Sequence, residues 1–175
     1  SLKDKTGMDY IGILYGGFMA VKNGVRLIEY NARFGDPEAM NVLSILKTDF
    51  IDICKKMVSS SLDKIKIEFE NKATVCKYSV PNGYPDNPVK NQIIDISDIK
   101  DKDKVFYASV NIEGDNLIET GSRTLAVISV AETIVDAERS AEDNIKRVKG
   151  PVFHRSDIGT KKLVDSRKSN MDKIR

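Results

Sequence analysis

Two β-prone runs joined at Asn23-Gly24 constrain this chain more than any other feature. Residues 11–21 (IGILYGGFMAV) and 25–31 (VRLIEYN) are rich in apolar and aromatic side chains. Asn-Gly supplies the positive backbone angles that a type I′ turn needs at both central positions, so an antiparallel hairpin is predicted. Gly16 and Gly17 interrupt the first strand and mark a bulge or a close backbone approach. Alternation along the second strand sets Leu27, Glu29, Asn31 and, one step further, Arg33 on one face, with Ile28 and Tyr30 on the other.

Helical spacing follows the hairpin. Asp36-Pro37-Glu38 reads as a helix start, with Asp36 as cap, Pro37 in the first helical position and Glu38 at the positive end of the dipole. Ala39, Val42, Leu43, Leu46, Phe50, Ile53, Cys54 and Met57 recur at helical intervals up to Ser59-Ser60-Ser61, and Thr48-Asp49 is a point where the segment divides in two. At the other end, Leu2-Lys3-Asp4-Lys5 before Thr6-Gly7 reads as the last turn of a helix with a glycine stop. A chain that opens so reads as the downstream part of something longer.

From about residue 73 the pattern changes to short strands at 73–80, 92–96, 105–112, 117–120 and 123–131, separated by turn-rich stretches such as residues 81–88. Thr133 and Asp136 then form a capping-box pattern, and Ile134, Ala137, Ala141, Ile145 and Val148 make the apolar stripe of a helix that Gly150-Pro151 stops. The polar segment from Ser156 reads as a frayed, solvated end. The expected fold class is α+β, with a hairpin followed by helix over residues 1–72 and a small β-rich domain with one main helix over 73–175.

Composition narrows the function classes. With 28 Lys+Arg against 26 Asp+Glu the net charge is +2, which gives no basis for a nucleic-acid partner. No apolar run approaches the roughly 18 residues of a membrane span, so no membrane partner is expected. Cys54 and Cys76 match no metal-binding spacing, and one histidine does not make a zinc site with them. Both read as buried thiols of a cytoplasmic protein.

The chemistry-bearing stretch is Glu29 to Glu38. Glu29 and Asn31 supply two oxygen donors, two residues apart on one strand face, of the kind a hard cation takes. Arg33 offers a planar fork of donors for phosphate, and a helix start offers free amides. The same polar face is equally that of an ordinary solvated strand, and Asp36 equally a simple cap; spacing alone leaves both readings open.

The run GILYGGFMAVKNGVRLIEYNARFGDPEAMNVL resembles the end of the ATP-grasp domain in the glycinamide ribonucleotide synthetase (phosphoribosylamine–glycine ligase) family, and Arg33-Phe34-Gly35-Asp36-Pro37-Glu38 is a signature of that family. The likeness continues through Tyr78–Pro85, Gly121–Val127 and His154–Gly159, in the family's order and over nearly the whole chain. It implies an ADP-forming carbon–nitrogen ligase of purine biosynthesis, in which ATP phosphorylates glycine and 5-phosphoribosylamine attacks the glycyl phosphate. It implies Glu29 and Asn31 as ligands of Mg²⁺ or Mn²⁺ on the ATP phosphates, with Arg33 meeting the transferred phosphate or substrate carboxylate. Asp36 and Glu38 are implied as shaping the substrate pocket.

Arg123, His154 and the 82–88 loop read as structural. Ala39-Met40 stand where many members carry Thr-Gln. The family's phosphoribosylamine-binding N-terminal domain and nucleotide-holding lysines are not among these residues, so the chain is expected to be inactive without that N-terminal portion. The alternatives are a differently specific ATP-grasp ligase and a non-catalytic module derived from one.

Overall fold

The computed structural model describes residues 2–174, which fall into two compact units. The first runs to Asn71 and takes in the end of the last helix from Ser169; the second spans Lys72–Lys168.

In the first unit, α1 (Leu2–Thr6) ends at Gly7, whose φ of +73° lets its N–H return to the Lys3 carbonyl at 2.8 Å. β1 (Tyr15–Val21) and β2 (Gly24–Asn31) form the expected antiparallel hairpin, but its turn sits one residue early. Val21 pairs with Gly24, so Lys22 and Asn23 are the turn residues, and neither has positive φ. Gly24, at φ +126°, absorbs the unusual angle as the first residue of β2. The register shifts between Gly17 and Phe18, opposite Glu29 and Leu27, so the bulge predicted from the paired glycines is there and Ile28 is the extra residue.

The helical segment divides as anticipated. α2 (Glu38–Leu43) is only six residues long, and α3 (Phe50–Val58) begins where the Asp49 carboxylate accepts from the amides of Ile51 and Asp52 at 2.7 and 3.2 Å. Between them the chain leaves α2 through a turn at Ser44 and Ile45, and Leu46 then bridges to Phe69. Ile53 is the buried residue of α3, and Cys54 is half-buried there rather than fully buried.

The second unit contains β3 (Ala73–Pro81), β4 (Gln92–Ile94), β5 (Val105–Tyr107), β6 (Val110–Glu113), β7 (Asn116–Glu119), β8 (Leu125–Ala131), α4 (Ile134–Ile145), β9 (Val152–His154) and the start of α5 (Lys161–Ile174). One sheet has the order β5-β8-β3-β9 and a second the order β4-β7-β6, all antiparallel. The single strand expected over 105–112 becomes β5 and β6. Ala108 and Ser109 donate to the carbonyls of Thr124 and Arg123, which carries the chain from one sheet to the other.

β8 is central, and Leu125–Ile128 are completely buried, which is why its sequence is apolar on both faces. Leu125 and Val127 pack with Ile94, Ile99 and Ile145; Val75 packs with Ala137 and Ala141. Thr133 caps α4, accepting from the Asp136 amide at 3.1 Å while its hydroxyl donates to the Asp136 carboxylate at 2.7 Å. Ala137, Ala141 and Ile145 form the buried stripe, whereas Ile134 in the first turn is exposed and Val148 lies beyond the helix end.

One short strand lies outside the expected set, and one expectation is corrected. β9 is too short to show a period, and its residues join β3 after Gly150-Pro151. The solvated tail is a helix, α5, with no buried residue. Thr160 starts it by accepting from the Leu163 amide, and an i,i+4 ion pair of Lys161 with Asp165 supports its first turn.

Candidate functional site

Residues Tyr15, Gly17, Glu29 and Asn31 share one face of the hairpin, because Tyr15 pairs with Asn31 and Gly17 with Glu29. At Gly17 a Cβ would stand 3.4 Å from Glu29 Cγ, an ordinary contact. Gly16 serves the opposite face, where a Cβ would come within 2.6 Å of the Phe18 ring and break its edge-to-face contact with Tyr30. Of the two glycines, Gly16 is therefore the one at which a side chain would crowd its neighbours.

Asn31 Nδ2 donates to Glu29 Oε1 at 3.0 Å. That bond uses the donor end of the amide and one carboxylate oxygen, so the two groups are held side by side as oxygen donors. Tyr15 Oη crosses from β1 and donates to Glu38 Oε1 at 3.1 Å. The hydrogen bond to Glu38 and that carboxylate's charge, with burial and the charge of Glu29, hold the Tyr15 phenol above its ordinary range. Gly35 is buried between these groups; a Cβ on it would meet Glu38 Oε2 at 2.5 Å and the Tyr15 ring at 2.9 Å.

The structure corrects the expected placement of two residues. Arg33 does not continue the face of Glu29 and Asn31, since β2 stops at Asn31 and the chain bends; its Nη1 donates to the neighbouring Phe34 carbonyl at 2.7 Å. Asp36 is not the cap of α2. The capping position falls on Pro37, with no side-chain cap, and the Ala39 amide bonds instead to the Gly35 carbonyl at 3.0 Å. Proline shifted the start because it occupies the flanking position rather than the first turn. Phe34 packs on Phe50 with ring centroids 5.8 Å apart, which ties the signature loop to α3. Glu29, Asn31, Gly35 and Glu38 are thus brought together around Tyr15, a residue that the sequence pattern did not single out.

A second charged cluster lies in the other unit. Lys77, on β3, is fully buried, and its Nζ reaches Glu138 Oε1 at 2.7 Å, Glu142 Oε2 at 2.5 Å and the Ser156 carbonyl at 3.0 Å. Glu142 also meets Lys146 at 3.0 Å and His154 Nε2 at 3.2 Å. Burial alone would push the Glu142 carboxyl up, but hydrogen bonds from Lys77, Lys146 and His154 outweigh it and hold the group at about 2. Elsewhere, Arg123 lies over the Tyr78 ring, 5.0 Å from its centroid. The 82–88 loop is pinned by Asn82 N–H to the Pro151 carbonyl and Asn87 N–H to the Gly83 carbonyl, both at 2.8 Å.

Comparison with known proteins decides what the hairpin site belongs to. The family described as "Phosphoribosylglycinamide synthetase, C domain" matches residues 74–161, and "Phosphoribosylglycinamide synthetase, ATP-grasp (A) domain" matches residues 2–39. The chain belongs to the phosphoribosylglycinamide synthetase family. It is 54% identical over 178 residues to a phosphoribosylamine–glycine ligase of Methanocaldococcus jannaschii, covering 100% of this chain and 40% of that protein. It is 55% identical over 168 residues to one of Methanococcus vannielii, covering 94% of this chain and 38% of the relative. The crystal structure of phosphoribosylamine–glycine ligase from Thermotoga maritima superposes with a TM-score of 0.69 at 25% identity, over 82% of this chain and 36% of that one. The chain thus spans about 40% of the length of the curated relatives it matches, and it shares the family's α+β fold. Among the described residues, no helix is long and apolar enough to cross a membrane.

Proposed function

We propose that this chain supplies the metal- and phosphate-handling strand of an ADP-forming ligase that joins glycine to 5-phosphoribosylamine in purine biosynthesis. The observation that carries the reading is the Glu29–Asn31 donor pair on one strand face, directly ahead of the Arg33–Glu38 signature, in a chain of this family. In this reading residues 1–72 are the C-terminal portion of an ATP-grasp domain and residues 73–175 the β-rich domain after it. The remaining length of the relatives supplies the other half of the site.

The donor set fits Mg²⁺ or Mn²⁺ held on a nucleotide. Magnesium commonly takes one or two protein oxygens and fills its sphere with phosphate oxygens and water. Among the described residues no three His, Cys, Asp or Glu side chains gather as a metal cage, and a two-donor edge suits an ion that arrives with ATP. When bound, the ion neutralises charge on the transferring phosphoryl group.

The chain's own residues do the rest. Arg33 exchanges its Phe34 carbonyl for the transferred phosphate or the glycine carboxylate, matching either with two parallel donors. Asp36 and Glu38 shape the pocket, with Glu38 accepting the ammonium group of glycine. A glycine carboxylate oxygen attacks the γ-phosphorus as ADP leaves; the amine of phosphoribosylamine then attacks the glycyl carbonyl, phosphate leaves and the amine gives up a proton. An acyl phosphate hydrolyses in water, so the pocket must be shielded. Cys54 and Cys76, neither of them in a disulfide, suit a reducing cytoplasm.

The test is glycine- and phosphoribosylamine-dependent ADP release, by this chain alone and by this chain fused behind the upstream portion of the Methanocaldococcus jannaschii relative. Activity of the fusion only is the expected result. Activity of the chain alone would place the whole site in 175 residues, and silence of both would favour a non-catalytic module.

A further inference from the structure

We infer that Tyr15 is a positioning residue for Glu38, and that Gly35 is the space that lets it act. The inference rests on the ligase reading above, in which Glu38 receives the ammonium group of glycine.

Glu38 is exposed and opens a six-residue helix that has no side-chain cap. A glutamate in that position has several free rotors and no reason to keep one orientation. Here one oxygen is held and the other has room beside it. Oε1 accepts from Tyr15 Oη at 3.1 Å, across 23 residues of sequence. Oε2 lies where a Cβ on residue 35 would stand 2.5 Å away, so a larger residue there would push the carboxylate out of this position. Tyr15 is itself fixed on β1, paired with Asn31, so one strand register sets Glu38 relative to the Glu29–Asn31 pair.

The choice of donor matters chemically. A lysine or arginine would hold a carboxylate equally well and cancel its charge. A phenol donates while neutral, so Glu38 is oriented and keeps the negative charge that an ammonium ligand needs. The residues that would carry glycine's cationic end are therefore set by a neutral hydroxyl and an absent side chain, neither of which a charge pattern reveals.

The experiment uses the fused enzyme and three variants, Tyr15→Phe, Glu38→Gln and the double change, with unfolding curves recorded for each. Tyr15→Phe is expected to raise KM for glycine about 3- to 10-fold with kcat within about 2-fold, the size of one ordinary hydrogen bond. KM for ATP should not move. Glu38→Gln should raise the glycine KM at least as far, and the double variant no further than Glu38→Gln alone, because the hydroxyl acts through that carboxylate. An unchanged glycine KM in Tyr15→Phe, multiplicative effects in the double variant, or a uniform loss of activity with a lowered unfolding midpoint would each overturn the inference while leaving the ligase reading intact. A wild-type fusion that releases no glycine-dependent ADP would remove the reading and this inference with it.

Discussion

Glu142 and Glu29 carry the same carboxylate, and the molecule surrounds them in opposite ways. Glu142 is enclosed by Lys77, Lys146 and His154, all within 3.2 Å, and its partners spend both oxygens. Glu29 stands on an exposed strand and accepts from the Asn31 amide. A charge largely removed from water must be matched by the chain itself, and little is left over for a ligand. An exposed carboxylate beside a second oxygen donor keeps capacity for a cation. Density of internal partners therefore separates a charge spent inside the fold from one that stays open to a ligand, and the two units can be used to test that rule.

The largest effect should come from removing the buried cation. Lys77→Met removes the buried ammonium that Glu138 and Glu142 share and leaves Glu142 with Lys146 and His154 only, and loss of one partner from a buried ionic cluster costs about 3–5 kcal/mol. Urea unfolding should show that drop. Lys77→Met combined with Glu138→Gln and Glu142→Gln should recover part of it, because the uncompensated charges go too. A single variant within about 1 kcal/mol of wild type would break the comparison.

On the other side, Glu29→Ala should cost function and spare the fold. Mg²⁺-dependent turnover of the fused enzyme is expected to fall at least about 100-fold, near 3 kcal/mol, while the unfolding midpoint stays within about 0.5 kcal/mol of wild type, as for most surface substitutions. Unchanged metal-dependent turnover would remove Glu29 from the metal site. A large stability loss would mean that this carboxylate, like Glu142, is structural.

Acid should distinguish the two carboxylates next. Glu142 is held at about 2 in the folded protein against an ordinary 4.5. A depressed carboxyl stabilises the fold at pH above its unfolded value and loses that contribution as pH falls through the folded value. Stability from the Lys77–Glu142 cluster should therefore be intact above about pH 4.5 and drain away toward pH 2. Comparing wild type with Glu142→Gln from pH 6 to pH 2 isolates it: the wild-type curve should fall toward the variant's. Parallel curves would rule out Glu142 as the group responsible.

The hairpin, the glycine bulge, the split at Thr48-Asp49 and the Thr133-capped helix were legible because each rests on neighbours in sequence. What was not legible depends on the third dimension. Asn23-Gly24 marks the hairpin, but the register that puts Lys22 and Asn23 in the turn is set by pairing along both strands. Lys77 looks like any outward strand residue, and its partners arrive 61 and 65 residues later. One signal was present: Glu138 and Glu142 are like charges four apart on α4, an arrangement that disfavours a helix unless something cationic sits between them. In the candidate site, Glu29 and Asn31 followed from alternation, whereas Tyr15 and Gly35 enter only through contact with Glu38.

The smallest effect concerns two aspartates that read alike. Asp36 before Pro37-Glu38 looks the better helix cap by composition, yet Asp49 does the capping, because its carboxylate reaches the amides of Ile51 and Asp52 while α2 starts on Pro37 with no side-chain cap. Asp49→Ala should therefore cost about 1 kcal/mol and Asp49→Asn only a few tenths, since asparagine keeps the acceptor. The matching cap of the second unit, Thr133→Ala, should cost a similar amount, again about 1 kcal/mol. Unfolding midpoints measured on all three decide the matter. If Asp49→Ala and Asp49→Asn fall together, the carboxylate works through its charge at the helix dipole rather than as an acceptor, and the contrast between an internally spent carboxylate and an open one would have to be drawn by charge instead of by hydrogen bonds.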